Sequence, residues 1–104
     1  MTRTKIVSMA ITSAILVLFI FSFVQTVSQG HEIFIREGCA NCHSFKGHGG
    51  ALASDLTGVT QRRSTIWIMT QIRDPKTHNP DSRMPEFKHI SIVERFALAL
   101  FLKD

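Results

Sequence analysis

Cysteine is scarce in this 104-residue sequence: there are two, Cys39 and Cys42. A disulfide closing so short a loop removes little entropy from the unfolded chain, so a structural bridge does not explain the pair. A second cysteine pair, which a zinc site usually draws on, is missing. A βαβ pattern, the usual setting of a dithiol redox site, is missing too. No alternating run marks a strand, and no internal repeat appears. Long basic runs are also lacking; the longest is Arg62-Arg63. The net charge is +4, and Arg3 and Lys5 precede an apolar stretch, so the rest of the chain holds 10 basic against 8 acidic residues. So mild a balance is weak ground for a nucleic-acid partner despite a pI near 9.6.

What the chain does have begins at its N-terminus. Ile6 to Val27 carry no charge and are mostly apolar. Twenty-two helical residues at about 1.5 Å each reach roughly 33 Å, enough to cross the hydrocarbon layer. With Arg3 and Lys5 in front, the N-terminus stays in the cytoplasm and the remainder is exported. Residues 1–29 are therefore expected to be a single-pass anchor in the cytoplasmic membrane, with residues 30–104 on the extracytoplasmic (periplasmic) side. The competing reading is a cleaved signal peptide, with Ser28 and Gly30 as small residues before His31. Against it, the run is longer than a signal core and no Ala-x-Ala is present. Only Ser28, Gln29 and Gly30 link the run to the next helical pattern. A tether that short holds the domain near the membrane and favours a fixed partner there.

If residues 31–104 fold alone, 74 residues must build the core, a size that often needs a staple. Three helices are readable, which predicts an all-α domain. The first covers about His31 to Glu37 and stops at Gly38. The second follows Ser64, a good N-cap, carries Trp67, Ile68, Met69 and Ile72, and ends at Asp74-Pro75. The third starts at Ser91, where Ser91 and Glu94 form a capping-box pattern. Val93, Phe96, Ala97, Leu100 and Phe101 then make an apolar stripe. Loops lie between, at Lys46–Gly50 and at Pro75–Pro85.

The chemistry-bearing motif is Cys39-Ala40-Asn41-Cys42-His43, the attachment pattern of a c-type haem. Thiols at this spacing can each add to one haem vinyl group, and the following imidazole then sits beneath the iron. One covalent haem c is the expected cofactor, with His43 as an axial ligand; its large apolar disc is also the staple a small domain needs. Candidates for the sixth ligand are Met69, Met84, His31, His48, His78 and His89, with Met1 and Met9 belonging to the anchor. Met69 sits among apolar helix neighbours and reads as core. Met84 lies in a loop beside Pro85, which lowers the cost of presenting its sulfur. His78, in the same loop, is the main rival.

With these motifs the chain resembles the small monohaem class I cytochromes c. Gly30-x-x-x-Phe34 is similar to that family's first helix, which packs on the last. Asp55-Leu56 resembles its Asn/Asp-Leu, and Met84-Pro85-Glu86-Phe87 its ligand loop. Phe96 and Phe101 fit its closing helix. The resemblance covers nearly all of residues 30–104 and implies His43/Met84 ligation of the iron. Gly49-Gly50, Asp55-Leu56-Thr57, Arg62-Arg63 and Met84–Phe87 look most like the membrane-anchored cytochrome c subunit of nitric oxide reductase and related parts of haem-copper oxidases. One departure stands out. Where the family usually has a proline whose carbonyl holds the ligand histidine, this chain has Ser54, so that contact is expected to be less rigidly fixed.

Arg62 and Arg63 are candidates to neutralise the haem propionates, and the Trp67 indole to donate to one; a solvated helix entrance and core packing are the plain alternatives. Leu56, Ile68, Ile72 and Phe87 are expected to line the pocket. Lys46, Lys76, Arg83 and Lys88 flank the ligand loops and would steer an acidic redox partner. The function expected is electron transfer within a respiratory membrane complex, not catalysis. The alternative is a haem sensor in which a gas displaces Met84; a haem enzyme lacks an evident distal acid–base pair.

Overall fold

The protein, seen in a computed structural model, is described over residues 2–103. Helix α1 runs from Arg3 to Ser28 and buries none of its side chains. At about 1.5 Å per residue it is roughly 39 Å long, more than the hydrocarbon layer requires. Three of its hydroxyls are paired within the helix. Thr12 donates to the Ser8 carbonyl, Thr26 to Ser22 and Ser28 to Gln25, at 2.8–3.0 Å. Internal pairing of this kind is what polar side chains need in an apolar surround.

Helix α2, Gly30–Arg36, follows after Gln29 alone. The expected three-residue link is thus a single residue, and the long helix bends into the domain with almost no tether. Gly30 explains why α2 starts there. A side chain on it would strike the Ala97 carbonyl and Phe101 Cβ, so only glycine lets the two backbones meet. Ala97 and Phe101 belong to α6, Ile92–Phe101, the last helix. Its capping box is formed in full: Ser91 accepts from the Glu94 N–H, and the Glu94 carboxylate accepts from the Ser91 N–H.

Helix α6 is apolar around more of its circumference than the predicted stripe. Ala97, Leu98 and Ala99 are buried, as is Leu102 just beyond, while Val93, Phe96, Leu100 and Phe101 are half-buried. The reason is that it has three partners. One side meets α2, one faces the interior, and Phe96 stacks on Phe23 of α1 at 6.4 Å between ring centroids. Phe101 joins Phe34 and Phe45 in an aromatic cluster with centroids 5.2 and 5.3 Å away.

Between these helices lie shorter pieces that no period announces. Helix α3 is one turn, Cys39–Cys42, entered through Gly38 in the left-handed region. Strands β1, Ser44–Phe45, and β2, His48–Gly49, pair antiparallel around Lys46-Gly47. Both turn residues have positive φ, 51° and 82°, the geometry of a tight two-residue hairpin. This corrects the reading of 46–50 as plain loop; two-residue strands are too short for alternation to show. Helix α4, Val59–Arg62, is again a single turn, after Gly58. Helix α5, Thr65–Arg73, begins where Ser64 accepts from the Trp67 N–H and gives way to a 3₁₀ turn at Pro75–Thr77.

Candidate functional site

The α3 turn delivers three motif residues at once. Cys39 and Cys42 are free thiols on successive positions of one helical side. Cys39 is half-buried, and burial pushes its thiol up to about 11. Cys42 is exposed. The helix stops at His43, whose extended backbone turns the ring out of the helical path.

The imidazole Nδ1 of His43 lies 2.7 Å from the Ser54 carbonyl oxygen. An oxygen only accepts, so Nδ1 carries the proton and Nε2 keeps its lone pair for a metal. The segment holding that carbonyl is fastened on both flanks. The Ala53 N–H donates to Cys42 at 2.8 Å, and the Leu56 N–H donates to Ser44 at 2.9 Å. Next along, Asp55 accepts from the Thr57 N–H and hydroxyl, while the Thr57 oxygen accepts from the Lys46 N–H. These bonds, the Thr57 backbone N–H first, hold the Asp55 carboxyl below its ordinary range. The Ser54 carbonyl thus makes the contact expected of it, within a segment tied by backbone hydrogen bonds on both flanks.

Beyond His43 opens a cavity of about 320 Å³, within the range of about 300–1,000 Å³ typical of small-molecule and cofactor sites. Cys39, His43, Leu56, Arg62, Arg63, Trp67 and Met84 all line it, as do Ile68 and Ile72. Two expected residues do not. Cys42 stands outside the wall, and Phe87 packs against the core instead, tied by its N–H to the Ile72 carbonyl at 3.1 Å.

Met84 and His78, rivals in sequence, are placed differently. Met84 lines the cavity, and its sulfur accepts from Gln71 Nε2 at 3.6 Å. His78 is not in the wall. Its ring lies flat on Trp67, 4.2 Å away at 5°, and its Nδ1 meets Gln71 Oε1 at 2.7 Å. The other histidines also lie apart: His31 packs on Phe101, His89 pairs with Glu37, and His48 is in the hairpin. Arg62 donates to the Thr57 carbonyl at 3.0 Å, and the Arg63 guanidinium covers the Trp67 ring at 4.4 Å.

The family model for Cytochrome c matches residues 27–104. The chain belongs to the cytochrome c family. Comparison with curated proteins and with solved structures gave no match. This cytochrome accordingly carries a covalent c-type haem with iron and serves haem-based electron transfer. The residues present fit that group: an apolar cavity bounded by a motif thiol, an imidazole with one nitrogen reserved, a methionine and two arginines.

Several wall residues of this cytochrome were not singled out in the sequence. Gln71 falls on the α5 side shared by Ile68 and Ile72. Leu98 and Leu102, four apart on and just beyond α6, face the cavity. Their i, i+4 spacing was a usable signal, hidden by a helix apolar on nearly every side.

Proposed function

We propose that this cytochrome is a membrane-anchored electron carrier with His43 and Met84 as the axial iron ligands. Residues 1–29 form the anchor and residues 30–104 the haem domain, on the extracytoplasmic side of the cytoplasmic membrane. When bound through Cys39 and Cys42, the haem supplies a one-electron ferric/ferrous couple.

The observation that carries the reading is the pairing of His43 and Met84 on one apolar cavity, with His43 Nδ1 committed to Ser54. Of the two loop candidates, Met84 lines that cavity, while His78 lies outside it, engaged by Gln71 and Trp67. Two protein ligands leave no open position, which suits electron transfer over gas binding. Arg62 and Arg63 place positive charge at the cavity, where propionates would be neutralised, and Trp67 shields the same side.

Helix α1 is long enough and apolar enough to cross a membrane. The one-residue junction at Gln29 and the Phe23–Phe96 stack favour a domain held at the membrane face. That suits a fixed subunit of a respiratory oxidoreductase complex better than a free shuttle. An acidic redox partner would meet the lysines near the ligand loops; Lys88 there pairs with Glu86 at 3.3 Å.

The test is the Met84→Ala holoprotein. Loss of the sulfur-to-iron charge-transfer band in the oxidised form, with new carbon monoxide binding in the reduced form, supports the reading. An unchanged band, or rapid carbon monoxide binding by the unaltered protein, overturns it.

A further inference from the structure

Gln71 is a polar residue on an apolar helix side, half-buried, with both ends of its amide engaged. Nε2 is 3.6 Å from Met84 Sδ, and Oε1 is 2.7 Å from His78 Nδ1. A thioether sulfur can only accept, so the NH₂ end must face Met84. The carbonyl end then faces His78 and can only accept, so His78 Nδ1 carries a proton and donates. Donation therefore runs in one direction, from His78 to Gln71 to Met84.

His78 supports that direction because its ring is held in place with Nδ1 beside the amide oxygen. Its ring stacks on Trp67 at 4.2 Å and 5°, and the indole is covered by the Arg63 guanidinium at 4.4 Å. A stacked ring turns only by breaking that contact. Without His78 the amide oxygen loses its donor, and the amide is free to turn away from the sulfur.

We propose that Gln71 and His78 are positioning residues that set the donor strength of Met84: His78 holds the Gln71 amide against the sulfur, and the N–H so presented withdraws electron density from it. The proposal rests on Met84 being the iron's ligand. A sulfur that already shares a lone pair donates less to the ferric iron, which needs that density more than the ferrous iron does. The pair therefore raises the reduction potential without touching the metal. The remote position of His78, seven residues from Gln71, makes the 3₁₀ turn after α5 part of the tuning apparatus.

The experiment compares the full-length holoprotein in detergent with Gln71→Leu, His78→Phe, the double variant and Met84→Ala. Equilibrium redox titration and the charge-transfer band are read for each. Phenylalanine keeps the stack on Trp67 and loses only the donor. Gln71→Leu is expected to keep the band and shift the ferric/ferrous equilibrium about three- to tenfold toward ferric, the weight of one net hydrogen bond. That equals a fall of about 30–60 mV at about 59 mV per decade for one electron. His78→Phe falls in the same direction, and the double variant equals Gln71→Leu alone, because His78 acts only through the amide. An unshifted Gln71→Leu, or two shifts that add in the double variant, overturns the proposal while Met84→Ala still loses the band. A band that survives in Met84→Ala overturns the ligand assignment and the proposal with it.

Discussion

The His43 imidazole is held by the backbone of Ser54, not by its side chain: Nδ1 and the carbonyl oxygen are 2.7 Å apart. The Ser54 hydroxyl plays no part in that bond. The carbonyl is fixed by its neighbours, through Ala53 to Cys42 and Leu56 to Ser44. Ser54→Ala is therefore expected to leave the haem spectrum and the reduction potential of the holoprotein unchanged. A shifted potential would show that the hydroxyl, and not the carbonyl alone, tunes the ligand.

The approach of α2 to α6 is set by the missing side chain at Gly30. A methyl group there meets the Ala97 carbonyl and Phe101 Cβ, both parts of a packed helix that cannot swing aside. Gly30→Ala should cost about 1–3 kcal/mol, the usual toll of overpacking a close interior. The check is a lower denaturant midpoint at constant slope, read by the far-ultraviolet signal of the full chain in detergent. The control is Gly47→Ala: nothing lies near its side-chain direction, so any loss there comes from its positive φ alone.

Arg36 ties the two helices electrostatically as well. It donates to Glu94 at 2.8 Å and to Glu37 at 3.2 Å. Arg36 is the main cause holding the Glu94 carboxyl below its ordinary range; for Glu37 the main cause is His89, 2.7 Å away. A carboxyl lowered on folding contributes stability above its unfolded value near pH 4.3 and loses it as pH falls through the folded value. Glu94→Gln keeps the capping-box geometry, since glutamine serves at that position too. The variant should be less stable than the parent at neutral pH, and the gap should narrow as pH falls below the unfolded carboxyl value, shown by thermal melts across that range. A difference that persists at low pH would mean that the side chain acts through packing instead of charge.

How far these relationships could be read in advance depends on their range along the chain. The capping box at Ser91 and the cap at Ser64 are local hydrogen bonds between residues three apart, and both are formed as expected. The motif at Cys39–His43 is likewise a local pattern, and its family is identified over residues 27–104. The single-turn helices and the Lys46-Gly47 hairpin are too short for a hydrophobic period to repeat, so only glycine hinted at them. The Gln71 bridge joins residues seven and thirteen positions away, and the Phe23–Phe96 stack spans most of the chain. Contacts like these depend on how elements meet. Phe87 shows the reverse case: an aromatic beside the ligand loop suggested pocket, yet its bond to Ile72 turns it to the core.

The junction at Gln29 yields a prediction about the proposed partner. One residue separates α1 from α2, and Phe23 of the long helix stacks on Phe96 of the domain. The domain's direction is therefore set by α1, the proposed anchor. Inserting six residues of alternating glycine and serine after Gln29 gives a flexible link of roughly 5–6 Å times the square root of its length, about 13 Å. That leaves the domain's own core and cavity untouched, so the spectrum and potential should stay at the parent values. If the electron acceptor is a fixed neighbour in the same membrane complex, the rate of oxidation in native membranes should fall, because the haem edge no longer rests in one orientation. Rates to a soluble acceptor should not change. A membrane rate that is unaffected, or raised, by the insertion points to a shuttle that must reach its partners, and counts against the fixed-subunit proposal.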